Sequence, residues 1–189
     1  MTRMSTRARY HHGDLRAALL STAMEMLEQG ETFSLRAVAR RAGVSPTAPY
    51  RHFADRGALE SALASQGFRD LKDDLMEGRD LPRSVDDLAD FGVAYVDFAL
   101  RRPALFRLMF GNECDDSSDE RVRASGDLHK LLALALGNVF PGADTDALAT
   151  ASWSLVHGLA FLHLDGKLSG DQVEERVRAS FAALFSARS

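Results

Sequence analysis

Apolar residues recur every three or four positions along nearly the whole chain, and this period constrains the fold more than any other feature. A spacing of 3.6 residues places apolar side chains on one face of a helix, whereas a half-buried strand needs apolar residues at every second position. Sustained alternation of that second kind is nearly absent, and the sequence contains no internal repeat. The sequence therefore predicts an all-α protein of about nine helices.

Local signals set the ends of the predicted helices. Ser34 and Ser45 are N-cap residues, and Pro46 takes the first position of the third helix, where its missing N–H costs no hydrogen bond. Gly30 and Gly43 end the first and second helices, because glycine readily adopts the left-handed conformation that closes a helix. The predicted helices cover residues 14–29, 35–43, 46–53, 55–75, 84–101, 104–110, 119–139, 144–164 and 170–187.

Charge is unevenly distributed along the chain. Residues 1–56 contain nine Arg and five acidic residues, for a net charge of +4, whereas residues 57–189 contain 14 basic and 22 acidic residues, for −8. A basic head on an acidic body indicates that only the head meets a polyanion such as nucleic acid. On charge alone, a basic N-terminal segment without any such partner fits equally well.

Other sequence features argue against a membrane or secreted protein. No apolar run approaches the ~18 residues of a membrane-spanning helix, and no apolar segment follows the basic N-terminus as it does in a secretory signal. The single cysteine, Cys114, cannot form an intrachain disulfide or, alone, a cysteine-based zinc site. These features predict a cytoplasmic protein with no membrane partner.

The second and third predicted helices are joined by only Gly43, Val44 and Ser45. A short glycine-containing turn between two helices is typical of a helix-turn-helix, whose second helix enters the DNA major groove. An ordinary helical hairpin has the same spacing, so the turn alone leaves both interpretations open. Hydroxyl, ring and cationic side chains nearby favour DNA; they are Arg36, Thr47, Tyr50, Arg51, His52 and Arg56, with Arg3, Arg7, Arg9 and Tyr10 on the N-terminal arm.

Longer motifs around this turn resemble those of a known family. The segment LRAVARRAGVS at 35–45, with YRHF at 50–53 and RGAL at 56–59, resembles the DNA-binding domain of the tetracycline-repressor (TetR) family of bacterial transcriptional regulators. The family pattern is A-G-V-S followed by Tyr-x-x-Phe-x-x-Lys-x-x-Leu. It is complete here except that Arg56 takes the Lys position, which keeps the charge but alters the phosphate geometry.

The resemblance extends over nearly the whole chain. WSLVHGLA at 153–160 is similar to the Trp-His-Gly subgroup of TetR-like ligand domains, and HHGDL at 11–15 and LMFG at 108–111 match that subgroup too. The resemblance implies a ligand-responsive regulator that binds double-stranded DNA and has neither catalytic activity nor a cofactor. Repression is the first expectation, and activation stays open. The implied domains are a basic arm at 1–12, a DNA-binding domain at 13–72 and a ligand-binding and dimerisation domain at 73–189.

The resemblance also assigns residue roles on the DNA side. The implied DNA-binding residues, on the recognition helix and beside it, are Ser34, Arg36, Ser45, Thr47, Ala48, Tyr50, His52 and Arg56. We expect few direct hydrogen bonds to the bases, because Ala48 and Pro49 have no side-chain hydrogen-bond donor. We therefore expect Arg36, the basic arm and DNA shape to supply much of the specificity.

The middle and C-terminal helices are rich in aromatic residues, which predict a cavity for a small hydrophobic or aromatic effector. A fully packed core is the alternative, above all for Trp153 and His157, which lie about one helical turn apart. Tyr95 or His157 is the expected polar contact. The candidate ligand-binding residues are Phe91, Tyr95, Phe98, Phe106, Met109, Phe110, Trp153, His157 and Phe161.

The last two predicted helices carry more apolar surface than one small domain can cover, so we expect a homodimer built on a four-helix bundle. Its recognition helices would lie one DNA turn apart, ~34–36 Å, on a near-palindromic operator. The fourth predicted helix, from Arg56 to beyond Leu71, is the expected link between effector and DNA. The candidate interface residues are Ala151, Leu155, Gly158, Leu159, Leu162, Val177, Phe181 and Leu184.

An enzyme and a purely structural bundle are the two alternatives. The sequence lacks the G-x-S-x-G, G-x-x-x-x-G-K-[ST] and H-E-x-x-H motifs and a Cys/His ladder for metal. His157 and His163 are six residues apart, and therefore lie on different faces of an ideal helix. A bundle that binds only other proteins gains nothing from a basic head, so the sequence favours the DNA-binding regulator.

Overall fold

A computed structural model describes residues 15–111 and 119–186 of the chain. Every regular element in these two ranges is helical, which confirms the all-α prediction. The predicted arm at 1–12, Cys114 and most of the loop after residue 111 lie outside the described residues. The elements are α1 (Leu15–Glu28), α2 (Leu35–Arg41), a 3₁₀ helix (Ala48–Arg51), α3 (Arg56–Met76), α4 (Val85–Arg101), α5 (Pro103–Gly111), α6 (Glu120–Val139), α7 (Thr145–Leu164) and α8 (Val173–Ser186).

The helix ends follow the capping chemistry of the sequence. The Ser34 hydroxyl oxygen accepts a hydrogen bond from the Ala37 N–H at 3.2 Å and caps α2. Gly43 has a φ of 70°, and the following N–H, of Val44, donates to the Ala39 carbonyl at 3.0 Å. This left-handed glycine ends α2 and turns the chain toward the 3₁₀ helix.

The third predicted helix, at 46–53, is wrong in type and extent. Pro46 lies in a turn, and the helix that follows is a single 3₁₀ turn at Ala48–Arg51 with no side-chain cap at Thr47. Proline has no N–H to donate and disfavours helical backbone in the residue before it. Two prolines three positions apart therefore prevent an α-helix here, and the Ala48 N–H donates instead to the Ser45 carbonyl at 2.9 Å.

Two compact units divide the chain between Leu59 and Glu60. In the first unit, α1 packs on α2 and α2 packs on the 3₁₀ helix. Leu19, Val38 and Phe53 are almost completely buried in its core. A salt bridge of 2.9 Å between Arg41 and Glu31 joins the end of α2 to the loop that precedes it.

In the second unit, α4 packs against α5, α6, α7 and α8. Gly92 allows the close approach of α8, because a Cβ at that position would lie 2.5 Å from Phe181 Cε2 and 3.0 Å from Val177 Cγ1. Such distances are shorter than van der Waals contact. Only glycine therefore fits at this crossing without a shift of α8 or its side chains.

Helix α7 has the length and mean hydropathy, 20 residues and 1.3, of a membrane-spanning helix. The sequence shows no unbroken apolar run at α7, because Thr, Ser and His residues interrupt it. In the structure α7 packs against α4, α6 and α8, with Ala149, Val156 and Ala160 buried. A core helix of a globular bundle has this composition too.

Candidate functional site

The predicted DNA-binding residues lie at the surface of the first unit. Seven of the eight are exposed and Ala48 is half-buried. Tyr50 is 50% exposed, whereas the neighbouring Pro49 is buried. The 3₁₀ helix therefore presents the Tyr50 ring outward and turns its proline into the core. The seven exposed residues are Ser34, Arg36, Ser45, Thr47, Tyr50, His52 and Arg56.

Hydroxyl groups on this surface are held in place by local hydrogen bonds. The Ser45 and Thr47 hydroxyl oxygens lie 2.9 Å apart, and the Ser45 oxygen also accepts from the Thr47 N–H at 3.3 Å. The Ser34 oxygen accepts from the backbone at the start of α2, which leaves its O–H able to donate. An O–H donor at a helix start is suited to a phosphate oxygen.

Cationic side chains flank the hydroxyl groups. Arg36 and Arg40 are both exposed and lie one turn apart, so they share one face of α2. Arg40 was not among the residues predicted from the sequence, although its spacing of four residues from Arg36 places it on the same helix face. Arg56 begins α3, with its guanidinium carbon 5.5 Å from the centre of the Phe33 ring. This contact restrains the Arg56 side chain.

The N-terminus of α3 is already occupied by a carboxylate. Asp55 Oδ1 accepts a hydrogen bond from the Ala58 N–H at 2.9 Å. Free N–H groups at a helix N-terminus can bind a phosphate oxygen. At α3 the Asp55 carboxylate takes one of them, so fewer backbone donors are open to a phosphate beside Arg56.

Aromatic rings of the second unit pack tightly around Phe106, which is fully buried. Its ring centre lies 4.9 Å from that of Phe110 and 5.6 Å from those of Tyr95 and Phe161. The His157 ring lies 4.6 Å from Phe110. These distances are typical of packed aromatic pairs. The predicted rings in this cluster therefore pack against one another.

Three polar groups at the edge of this cluster form one chain of hydrogen bonds. Trp153 Nε1 donates to the Tyr95 hydroxyl oxygen at 3.2 Å, and that hydroxyl lies 3.0 Å from His157 Nδ1. Because the indole N–H can only donate, the Tyr95 oxygen is the acceptor in the first bond, and the second bond joins the same hydroxyl to His157 Nδ1. Burial raises the pKa of Tyr95 and lowers the pKa of His157, so both side chains are neutral at pH 7.

A cavity of about 40 Å³ lies beside the Tyr95 hydroxyl chain, between α4, α6, α7 and α8. Of the nine predicted ligand-binding residues, only Phe91, Tyr95 and Trp153 border it. The other six, Phe98, Phe106, Met109, Phe110, His157 and Phe161, do not. The residues that border the cavity are Leu75, Leu88, Phe91, Gly92, Tyr95, Leu128, His129, Leu131, Leu132, Ser152, Trp153, Val156 and Phe181.

Ser152, like His129, is a polar residue of this cavity that was not predicted from the sequence. Its side chain is 1% exposed, and its hydroxyl has no hydrogen-bond partner among the described residues. A single serine in an apolar helix gives no signal in the sequence, because such a hydroxyl usually bonds to the helix backbone. Only the three-dimensional arrangement places it at a cavity.

Two family models match the chain. The model "Bacterial regulatory proteins, tetR family" matches residues 19–63, and the model "Tetracyclin repressor-like, C-terminal domain" matches residues 88–187, more than half of the sequence. The chain belongs to the TetR family. It is therefore a DNA-binding transcriptional regulator, and the helix-turn-helix at α2 and the 3₁₀ helix is its DNA-binding element.

Solved structures agree with the family match. The TetR chain is 36% identical to a protein of unknown function from Rhodococcus sp. RHA1, with a TM-score of 0.77 and coverage of 95% of this chain and 98% of that one. A TetR transcriptional regulator from the same organism is 23% identical, with a TM-score of 0.64 and coverage of 92% and 97%. The TetR regulator PfmR from Thermus thermophilus is 16% identical, with a TM-score of 0.62 and coverage of 89% and 97%. The last two show the shared fold.

The predicted dimer residues of the TetR chain divide into two groups. Val177 and Phe181 are 0% and 3% exposed and pack at Gly92, so their apolar surface is already covered within one chain. Leu159 is buried as well. The residues that keep exposed or partly exposed surface are Ala151, Leu155, Gly158, Leu162 and Leu184.

Proposed function

We propose that this TetR-family regulator binds a near-palindromic operator as a homodimer, represses transcription in the bacterial cytoplasm and is released by a small hydrophobic molecule. The observation that carries the DNA part is the exposed surface formed by the 3₁₀ helix and α2. Its hydroxyl groups at Ser45 and Thr47, the Tyr50 ring and the Arg36 guanidinium supply phosphate and base contacts at one end of the first unit.

The proposed dimer rests on one face of α7. Ala151, Leu155, Gly158 and Leu162 follow one another at intervals of three or four residues and keep exposed surface, with Leu162 44% exposed. A Cβ added at Gly158 would meet nothing within 4 Å, so this face is open to a second helix. A two-fold pairing of such faces would cover the apolar stripe and would hold two DNA-binding surfaces in fixed register.

The proposed effector response rests on α3 and the cavity. Helix α3 begins at Arg56 and is unbroken to Met76, and Leu75 near its end borders the cavity. An effector that binds the DNA-free dimer more tightly than the DNA-bound dimer would lower the DNA affinity. A coupling free energy of ~1–3 kcal/mol corresponds to a change of roughly 5- to 150-fold.

DNA binding is tested by fluorescence anisotropy with labelled duplex selected from genomic fragments, at several salt concentrations. Arg36→Ala should weaken binding. It should also reduce the slope of the logarithm of the binding constant against the logarithm of salt concentration by roughly one, since one phosphate contact is lost. Lys130→Ala, which removes an exposed positive charge from α6 of the second unit, is the matched control and should bind like wild type. Equal loss in both variants, or no binding by the folded wild type at low salt, would contradict the proposal.

The dimer is tested by light scattering at micromolar concentration. Leu162→Glu should give a monomer, because it places a charge within the apolar stripe of the proposed helix pair. Leu134→Glu is the control, since Leu134 is 63% exposed on α6 and lies outside the proposed interface. A wild-type monomer, or dissociation of both variants alike, would refute the α7 interface.

A further inference from the structure

The cavity that Ser152 borders, called the Ser152 cavity below, restricts the chemistry of the effector. We propose that this cavity binds a compact apolar ring compound with one neutral hydrogen-bonding group, and that the Ser152 hydroxyl holds this group. Control of DNA binding by such a compound rests on the proposed function, whereas the binding site stands on the geometry of the cavity itself. The packed ring cluster around Phe106 is not the binding site in this proposal.

The state of the Ser152 hydroxyl is the first support. Thr150, two residues earlier on α7, donates its hydroxyl hydrogen to the Asp146 carbonyl at 3.0 Å, which is the usual arrangement in a helix. The Ser152 hydroxyl forms no such bond among the described residues, although it is buried. A buried hydroxyl without a partner is unfavourable, and a ligand group in the cavity would satisfy it.

The cavity walls determine the rest of the ligand. Leucine, valine and aromatic side chains supply most of the surface, and no Lys, Arg, Asp or Glu side chain of the described residues borders the cavity. Among the described residues, His129 is the one side chain bordering the cavity that can carry a charge, so a charged ligand group would lose its hydration with little compensation. The Phe91, Trp153 and Phe181 rings are suited to a flat or cyclic apolar body. The favoured ligand is therefore neutral and carries a hydroxyl or carbonyl group near Ser152.

Phe91 offers a way for such a compound to enter. The cavity of about 40 Å³ is smaller than the sites that hold small molecules, which are roughly 300–1,000 Å³. A second pocket of about 330 Å³, lined by Arg79, Arg83, Asp87 and other residues at the start of α4, shares Phe91 with the cavity. Rotation of the Phe91 ring would join the two spaces and would admit a ring compound to Ser152.

The fluorescence of Trp153 reports binding at this site, because Trp153 borders the cavity and is the single tryptophan of the chain. Three probes that do not absorb with tryptophan are titrated: cyclohexanol, cyclohexane and cyclohexanecarboxylate. The variants are Ser152→Ala and the matched control Ser65→Ala. Ser65 is also fully buried in the second unit without a hydrogen-bond partner among the described residues, but it does not border the cavity.

Wild type and Ser65→Ala should bind cyclohexanol roughly 2- to 10-fold more tightly than Ser152→Ala does, as one neutral hydrogen bond predicts. Cyclohexane should bind both serine variants alike, and the carboxylate should bind none measurably. In stopped-flow measurements, Phe91→Leu should associate with cyclohexanol faster than wild type. Equal affinities of Ser152→Ala and Ser65→Ala for cyclohexanol, preference for the carboxylate, or no response of Trp153 would overturn the proposal.

Failure of this proposal is distinct from failure of the proposed function. A wild-type protein that binds operator DNA but shows no response of Trp153 to the probes overturns the Ser152 site and leaves DNA binding in place. Binding of cyclohexanol that depends on Ser152 but does not change DNA affinity supports the site and contradicts effector control. The same preparations are used for both assays, so the two results are directly comparable.

Discussion

The Tyr95 hydroxyl joins Trp153 to His157, and Tyr95→Phe removes it without changing the size of the ring. The variant leaves two polar groups without a partner, the Trp153 N–H and His157 Nδ1. A buried group left unpaired costs about 1–3 kcal/mol. Both rings keep some exposed surface, which lowers the cost of each. We expect the free energy of unfolding to fall by about 1–3 kcal/mol in total.

Urea unfolding measures this loss when it is followed by Trp153 fluorescence, which reports the second unit, and by far-UV circular dichroism, which reports the helices of both units. Tyr50→Phe is the matched control, since Tyr50 is half exposed in the first unit. That substitution should change stability by less than about 0.5 kcal/mol. If Tyr95→Phe is also within about 0.5 kcal/mol of wild type, the hydrogen-bond chain does not stabilise the core.

Three further predictions concern packing, pH and DNA. Gly92→Ala should destabilise the protein by about 1–3 kcal/mol in urea unfolding, because α8 must shift, whereas Gly158→Ala, with open space, should not. Burial lowers the pKa of His157 and His163 below 6.5, so the unfolded chain binds their protons more readily. The free energy of unfolding should therefore fall as pH decreases below 6.5, and less steeply when both are Gln. Arg56→Ala should weaken binding to all duplexes alike in anisotropy titrations and lower the salt slope by roughly one.

Periodicity and capping chemistry predicted most of the helices, because both act within a few residues. Ser34 and Gly43 lie where they were expected, at the two ends of α2. The prediction of the third helix was wrong because Pro46 alone is favourable at the first position of a helix, whereas Pro46 and Pro49 together prevent an α-helix. Gln172, with a φ of 62°, similarly prevents α8 from beginning at residue 170. Neither conformation follows from apolar spacing.

The cavity beside Ser152 could not be located from the sequence, because an apolar pattern does not separate rings that pack together from rings that border a space. Phe106 and Phe91 have the same character in the sequence, yet one is central to the core and the other borders the cavity. The same limit applies to the proposed dimer face. Phe181 fits the apolar stripe of α8, but Gly92 opens α4 to it, so its surface is covered within the chain.

Selection of bound DNA from a random pool tests DNA recognition by this regulator most directly. Purified wild-type protein and the Tyr50→Ala variant are each incubated with the pool, and the bound fragments are sequenced. The proposed function predicts enrichment by wild type of two inverted half-sites whose centres are about 10 base pairs apart, and loss of that enrichment in the variant. A folded wild-type dimer that enriches no sequence, or a variant that enriches the same site equally, would contradict recognition of DNA through the 3₁₀ helix.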